Sequence, residues 1–82
     1  MGNEYQTLEV KVTWVKYPSE SDDAEKRRNG DTKLFYILSV EAPMGNIVCK
    51  GEMLFRPKLN EHLKITGKWT EWQGTRQFEF RN

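Results

Sequence analysis

Apolar side chains recur at every second residue in five short stretches of this chain. In "TLEVKVTWV" (7–15), Leu8, Val10, Val12 and Trp14 share one face and Glu9, Lys11 and Thr13 the other. Successive side chains of a strand point to opposite sides, so the pattern predicts a half-buried strand with Trp14 in the core. "TKLFYILSV" (32–40) is apolar on both faces, Phe35 and Ile37 on one, Leu34, Tyr36, Leu38 and Val40 on the other. A strand of that kind is either central or carries a ligand on its outer side. "NIVCKGEMLF" (46–55) aligns Ile47, Cys49, Met53 and Phe55, with Gly51 marking a bulge or barrel bend. "HLKITGKW" (62–69) turns Leu63, Ile65, Gly67 and Trp69 inward, and "RQFEFR" (76–81) pairs Phe78 with Phe80.

The links between these stretches fit short β connections. "APMGN" (42–46) and "EWQGT" (71–75) are hairpin-length turns, each with a glycine able to take positive φ. The long link, residues 17–31, is polar throughout. It holds the signals of a two-turn helix: Ser19 or Ser21 as cap, Asp22 and Lys26 four apart, Asn29-Gly30 as stop. With almost nothing apolar to bury, the segment suits a mobile loop at least as well as that helix, and the fold expectation counts it as a long loop between the first and second strands. The expectation is all-β: a small five-stranded antiparallel barrel, closed or nearly closed, as one domain over residues 1–82, with an open meander and an SH3-like barrel as alternatives. Closure would remove exposed strand edges, and Gly51 and Gly67 would supply the bends.

Composition narrows this little. Eighty-two residues are too few for a second core. Net charge is only +1, but residues 1–25 carry six acids against two bases and residues 26–82 eleven bases against six acids, so an anion-binding surface belongs to the later part. One cysteine, Cys49, excludes an internal disulfide; with a single histidine, His62, it makes no structural zinc site, and no cofactor is expected. No apolar run approaches the roughly 20 residues of a membrane span, the first ten residues lack a signal-peptide pattern, and Tyr5-Gln6 do not suit acylation at Gly2. A cytoplasmic protein is the expectation.

The segment "GEMLFRPKLNEHLKITGKWTEWQGTRQFEF" (51–80) is similar to part of the N-terminal OB-fold domain of long RecD-like bacterial helicases. The matching residues are Gly51, the Asn60-Glu61 turn, Gly67-Lys68-Trp69 and Arg76-Gln77-Phe78; earlier residues agree only in pattern. "EWQGT" replaces the family's His-Pro-x-Tyr-Gly turn, residues 19–31 read as an insertion, and no Gly-Lys-Ser/Thr phosphate loop occurs. The resemblance implies an OB-fold and a helicase accessory role. Its motif concerns barrel packing more than chemistry.

Trp69 shares the parity of Leu63 and Ile65 and is expected in the core; Trp72 has the parity of Lys64, Thr66 and Lys68 and falls in a tight turn, where it either stacks on bases or caps the barrel end. In an OB-fold the ligand crosses strands two and three between the first and fourth connections. On that scheme Lys26, Arg27 and Arg28 come from the long loop, Tyr36 from strand two, Lys50 from strand three, Lys68 from strand four, and Trp72 and Arg76 from the last turn. Basic groups around an aromatic platform suit single-stranded nucleic acid, DNA above all, bound without marked sequence preference. Against this, "DDAEKRR" also reads as a solvated segment that pairs its own charges. Arg56 and Lys58 are expected to serve solubility, His62 to lie on the surface and Cys49 to be a small buried hydrophobe. No nucleophile–base or acid pair is visible, so no enzyme is expected. The rival is a protein–protein interaction module, alone or as a domain of a larger helicase-like protein.

Overall fold

The structure, a computed structural model, describes residues 4–81. Gly2, weighed above for acylation, lies outside them. The chain runs β1 (Gln6–Tyr17), α1 (Glu20–Arg28), β2 (Leu34–Ala42), β3 (Gly45–Met53), β4 (His62–Trp72) and β5 (Thr75–Arg81). The strands pair in the order β1-β2-β3-β5-β4, and β4 returns to β1, so the sheet is a barrel-like ring. β1 serves two neighbours: Gln6–Lys11 pair with β4, and Lys11–Tyr17 with β2.

Four of the contacts are antiparallel, but β3 and β5 run parallel through Cys49↔Phe78 and Lys50↔Glu79. This corrects the all-antiparallel expectation for a simple reason. Directions cannot alternate around a ring with an odd number of strands. The core fills the ring with Val10, Val12, Leu38, Val40, Cys49, Phe78 and Phe80, and Tyr36 joins them at 0% exposure.

Gly51 and Gly67 are required by close approach. A Cβ on Gly67 would overlap the Glu79 carbonyl, and one on Gly51 would come within 2.6 Å of the Phe80 carbonyl oxygen. Both crowd the backbone of β5. At the β4–β5 turn, Gln73 and Gly74 take φ of 51° and 78°, the paired positive values of a two-residue hairpin.

The alternation in β1 breaks where the structure has register shifts, between Val12 and Trp14 and between Val15 and Tyr17. An extra residue in a strand reverses the faces of all that follow. Val15 is therefore buried and Trp14 is 59% exposed, against the expected core position. Trp69 is half-buried at the core's margin, its ring edge-on to Phe78 at 5.2 Å, its indole N–H donating to Gln6 Oε1 at 2.8 Å. Phe55, beyond the end of β3, is exposed instead of sharing the Met53 face.

The long connection is a helix, not a loop. Ser19 Oγ accepts the Asp22 N–H at 3.2 Å, acids fill the first turn, bases the last, and Asn29-Gly30 ends it with Gly30 at φ 102°. The capping signals and the macrodipole account for it without an apolar stripe. Its buried residue is a carboxylate, Asp23. Tyr36 donates to Asp23 Oδ2 at 2.6 Å, Arg27 Nε to Oδ1 at 2.8 Å and Arg56 Nη1 to Oδ2 at 3.2 Å. Arg27 also donates to the Tyr36 hydroxyl and the Leu54 carbonyl, and Arg56 to the Pro18 carbonyl. Helix, barrel interior and the β3–β4 link thus meet on one carboxylate.

Candidate functional site

The register brings outward side chains into a band that crosses the strands. Tyr17 pairs with Ile37, Ile37 with Lys50, Lys50 with Glu79, and Glu79 with Lys68. Neighbouring strands lie about 4.8 Å apart, so consecutive members of this band are adjacent on the surface. Beside it run Phe35, paired with Glu52, and the line Trp14, Ser39, Val48. Four aromatic rings around the band are open to solvent: Trp14, Tyr17 at 41%, Phe35 at 44% and Trp72 at 56%.

Cations lie against most of these rings. Lys16 is 5.8 Å from the Trp14 centroid, Lys26 5.5 Å from Tyr17, Lys50 5.4 Å from Trp72, and the Arg76 guanidinium 4.5 Å from Trp69. Such pairs are worth about 0.5–1 kcal/mol at exposed sites, so they pre-arrange charge beside each ring while remaining easy to displace. A groove lined by Lys33, Phe35, Lys50, Glu52, Glu79 and Arg81 continues along one flank. A second, with Met44, Ile47, Val48, Trp69 and Arg76, opens between the β2–β3 and β4–β5 hairpins, where β3 has parted from β5.

Of the residues expected at a binding surface, Trp72, Lys50 and Lys68 share the outward face around the β4–β5 hairpin and its neighbour β3, Arg76 has the opposite parity and lies over Trp69 at the core's margin, and Lys26 reaches the band through Tyr17, whose hydroxyl accepts from its Nζ at 3.3 Å. Arg28 is exposed on α1. Tyr36 does not belong to the surface: it carries the inward parity of Leu34, Leu38 and Val40 and is fully buried. Arg27 is committed to Asp23, Tyr36 and Leu54. Arg56, expected to serve solubility, is half-buried in the same network.

Phe35, Tyr17 and Trp14 were the aromatic residues missed. For Phe35 the signal was present, an apolar residue on the second face of an already amphipathic strand. For Trp14 and Tyr17 it was hidden by the irregular register of β1. Cys49 is buried as expected, and burial pushes its thiol up to about 12. His62 is exposed as expected. Among the described residues no three His, Cys, Asp or Glu side chains cluster to hold a metal, and no helix is long and apolar enough to cross a membrane.

The chain matches no family model, no curated protein and no solved structure.

Proposed function

We propose that this is an OB-like module that binds single-stranded nucleic acid, DNA by preference, across the outer face of β2 and β3 and the β4–β5 hairpin, without catalysis. The observation that carries the reading is the pairing of open aromatic rings with cations around one band: Trp14 with Lys16, Tyr17 with Lys26, Trp72 with Lys50. Unpaired bases stack on such rings, and a cation beside each ring is placed to meet the phosphate that follows. The ring order and a first strand shared between two neighbours support the OB-like reading, as does the similarity of residues 51–80 to the RecD-like helicase domain. Here the helix follows β1.

Titration with an oligo-dT strand, followed by tryptophan fluorescence, tests it. Saturable quenching is expected, with log affinity falling by about 0.7 per neutralised phosphate for each unit of log salt. Trp72→Ala should leave folding nearly intact, losing at most the roughly 0.5–1 kcal/mol of its cation–π pair, and bind more weakly by about 1–3 kcal/mol. A variant that unfolds early would place Trp72 in the fold rather than in binding. The groove holding Met44, Ile47 and Val48 favours a second reading, a docking surface for another protein. That reading predicts no oligonucleotide binding at low salt.

A further inference from the structure

Gln77 is the outward residue of β5 that should be exposed and is not. Along β5, Phe78 and Phe80 point into the core, which leaves Thr75, Gln77 and Glu79 outside; Thr75 and Glu79 are exposed, while Gln77 retains only 9%. Its position explains the burial. β5 lies between β3 and β4, Gln77 faces Thr70, Glu79 lies level with Lys50, and Thr75 lies level with Trp72. The Lys50–Trp72 cation–π pair therefore crosses β5 diagonally, over the position that Gln77 occupies. Beneath this roof the Gln77 Oε1 is buried with no hydrogen-bond partner, the one side-chain oxygen or nitrogen in that state among the described residues.

A buried polar atom without a partner costs about 1–3 kcal/mol, and such atoms are rare in folded proteins. This one lies under a removable lid, next to the most exposed ring of the hairpin. Resting on the nucleic-acid reading above, we propose that Gln77 reads one base of the bound strand. A base stacking on Trp72 displaces the Lys50 ammonium toward the backbone phosphate and presents its edge to the uncovered amide. The recessed acceptor selects the chemical class of that base. An exocyclic amino group projects beyond the ring and reaches a recessed oxygen. The ring N–H of thymine or uracil is flanked by two carbonyl oxygens, which meet the rim of the recess first. The position over Trp72 therefore takes an amino-bearing base, adenine, cytosine or guanine, in preference to thymine.

The experiment places a single dA or dC at each position along an oligo-dT strand of fixed length and measures affinity for the intact protein and for Gln77→Leu. Leucine removes the amide at similar volume, and because it relieves an unpaired buried group it is expected to leave the unfolding midpoint unchanged or raised. Intact protein should gain about five-fold or more in affinity at one register, the lower end of what one good side-chain–base pairing gives. Gln77→Leu should lose that gain and bind the substituted strands no better than oligo-dT. Equal affinity for all strands, or a gain that survives in Gln77→Leu, overturns the assignment and leaves the stacking surface standing. Absence of binding to any strand removes both.

Discussion

Asp23 holds a position that neither hydrophobicity nor helix propensity would give it. Burial pushes its carboxyl up, but the hydrogen bonds from Tyr36, Arg27 and Arg56 more than offset this and hold it below the ordinary value of 3.8. Burial, then Asp23, push the Tyr36 hydroxyl up, which keeps it a donor. Asp23→Asn should cost about 2–4 kcal/mol near neutral pH, somewhat less than breaking a fully buried pair because the Arg27 and Arg56 side chains stay 30% and 25% exposed. Since the folded carboxyl titrates below the unfolded one, its contribution is complete above about pH 4 and fades as pH falls through the folded value. Denaturant midpoints of the two proteins should therefore converge in acid, and a constant gap would separate the penalty from the charge. In sequence, "DDAEKRR" reads as a solvated segment that pairs its own charges. Nothing local announced that Tyr36, thirteen residues on, would reach them from inside the barrel. An inward tyrosine needs a partner for its hydroxyl, and that requirement was the missed clue.

At the scale of elements, β3, β4 and β5 were legible because alternation persists along them; β2, apolar on both faces, was legible as a strand but not in which face turns inward, and Tyr36 lies on the face opposite to the one expected. β1 was legible only as far as Val12. Beyond it the shifts in register exchange the faces, and a period-2 pattern carries no mark of where an extra residue enters. The helix was legible in its ends and illegible in its middle: Ser19 and Asn29-Gly30 signalled start and stop, while the missing apolar stripe argued for a loop. Ser19→Ala should lower global stability by about 1 kcal/mol, the usual worth of a cap, measured as a shift in the chemical denaturation midpoint. No shift would mean that the Asp23 network holds α1 in place by itself. The candidate surface divides in the same way. Trp72 and Lys50 could be placed because their strands are regular; Trp14 and Tyr17 could not, because theirs is not.

At the scale of the molecule, a net charge of +1 pointed to no partner, and what the structure adds is arrangement: cations laid against rings on one band. Ring order was beyond periodicity, which says nothing about which strand meets which. The parallel seam between β3 and β5 is the shortest junction, two residue pairs against nine between β2 and β3. Cys49 lies on it, with a thiol that burial keeps protonated and unreactive. Labelling of Cys49 by a thiol reagent under native conditions should depend on denaturant more shallowly than global unfolding does, because the four antiparallel ladders persist when the seam parts and less surface is exposed than in the unfolded chain. Equal dependence would show that the seam opens only with the whole fold.

Parting that seam has a consequence for the protein at high concentration. Every antiparallel ladder survives it, and the chain lies open as a five-stranded sheet in the order β3-β2-β1-β4-β5. Its two raw edges are the pair that fitted each other a moment before. A second molecule opened in the same way would offer the same two edges, and each chain would then complete the other where it had completed itself.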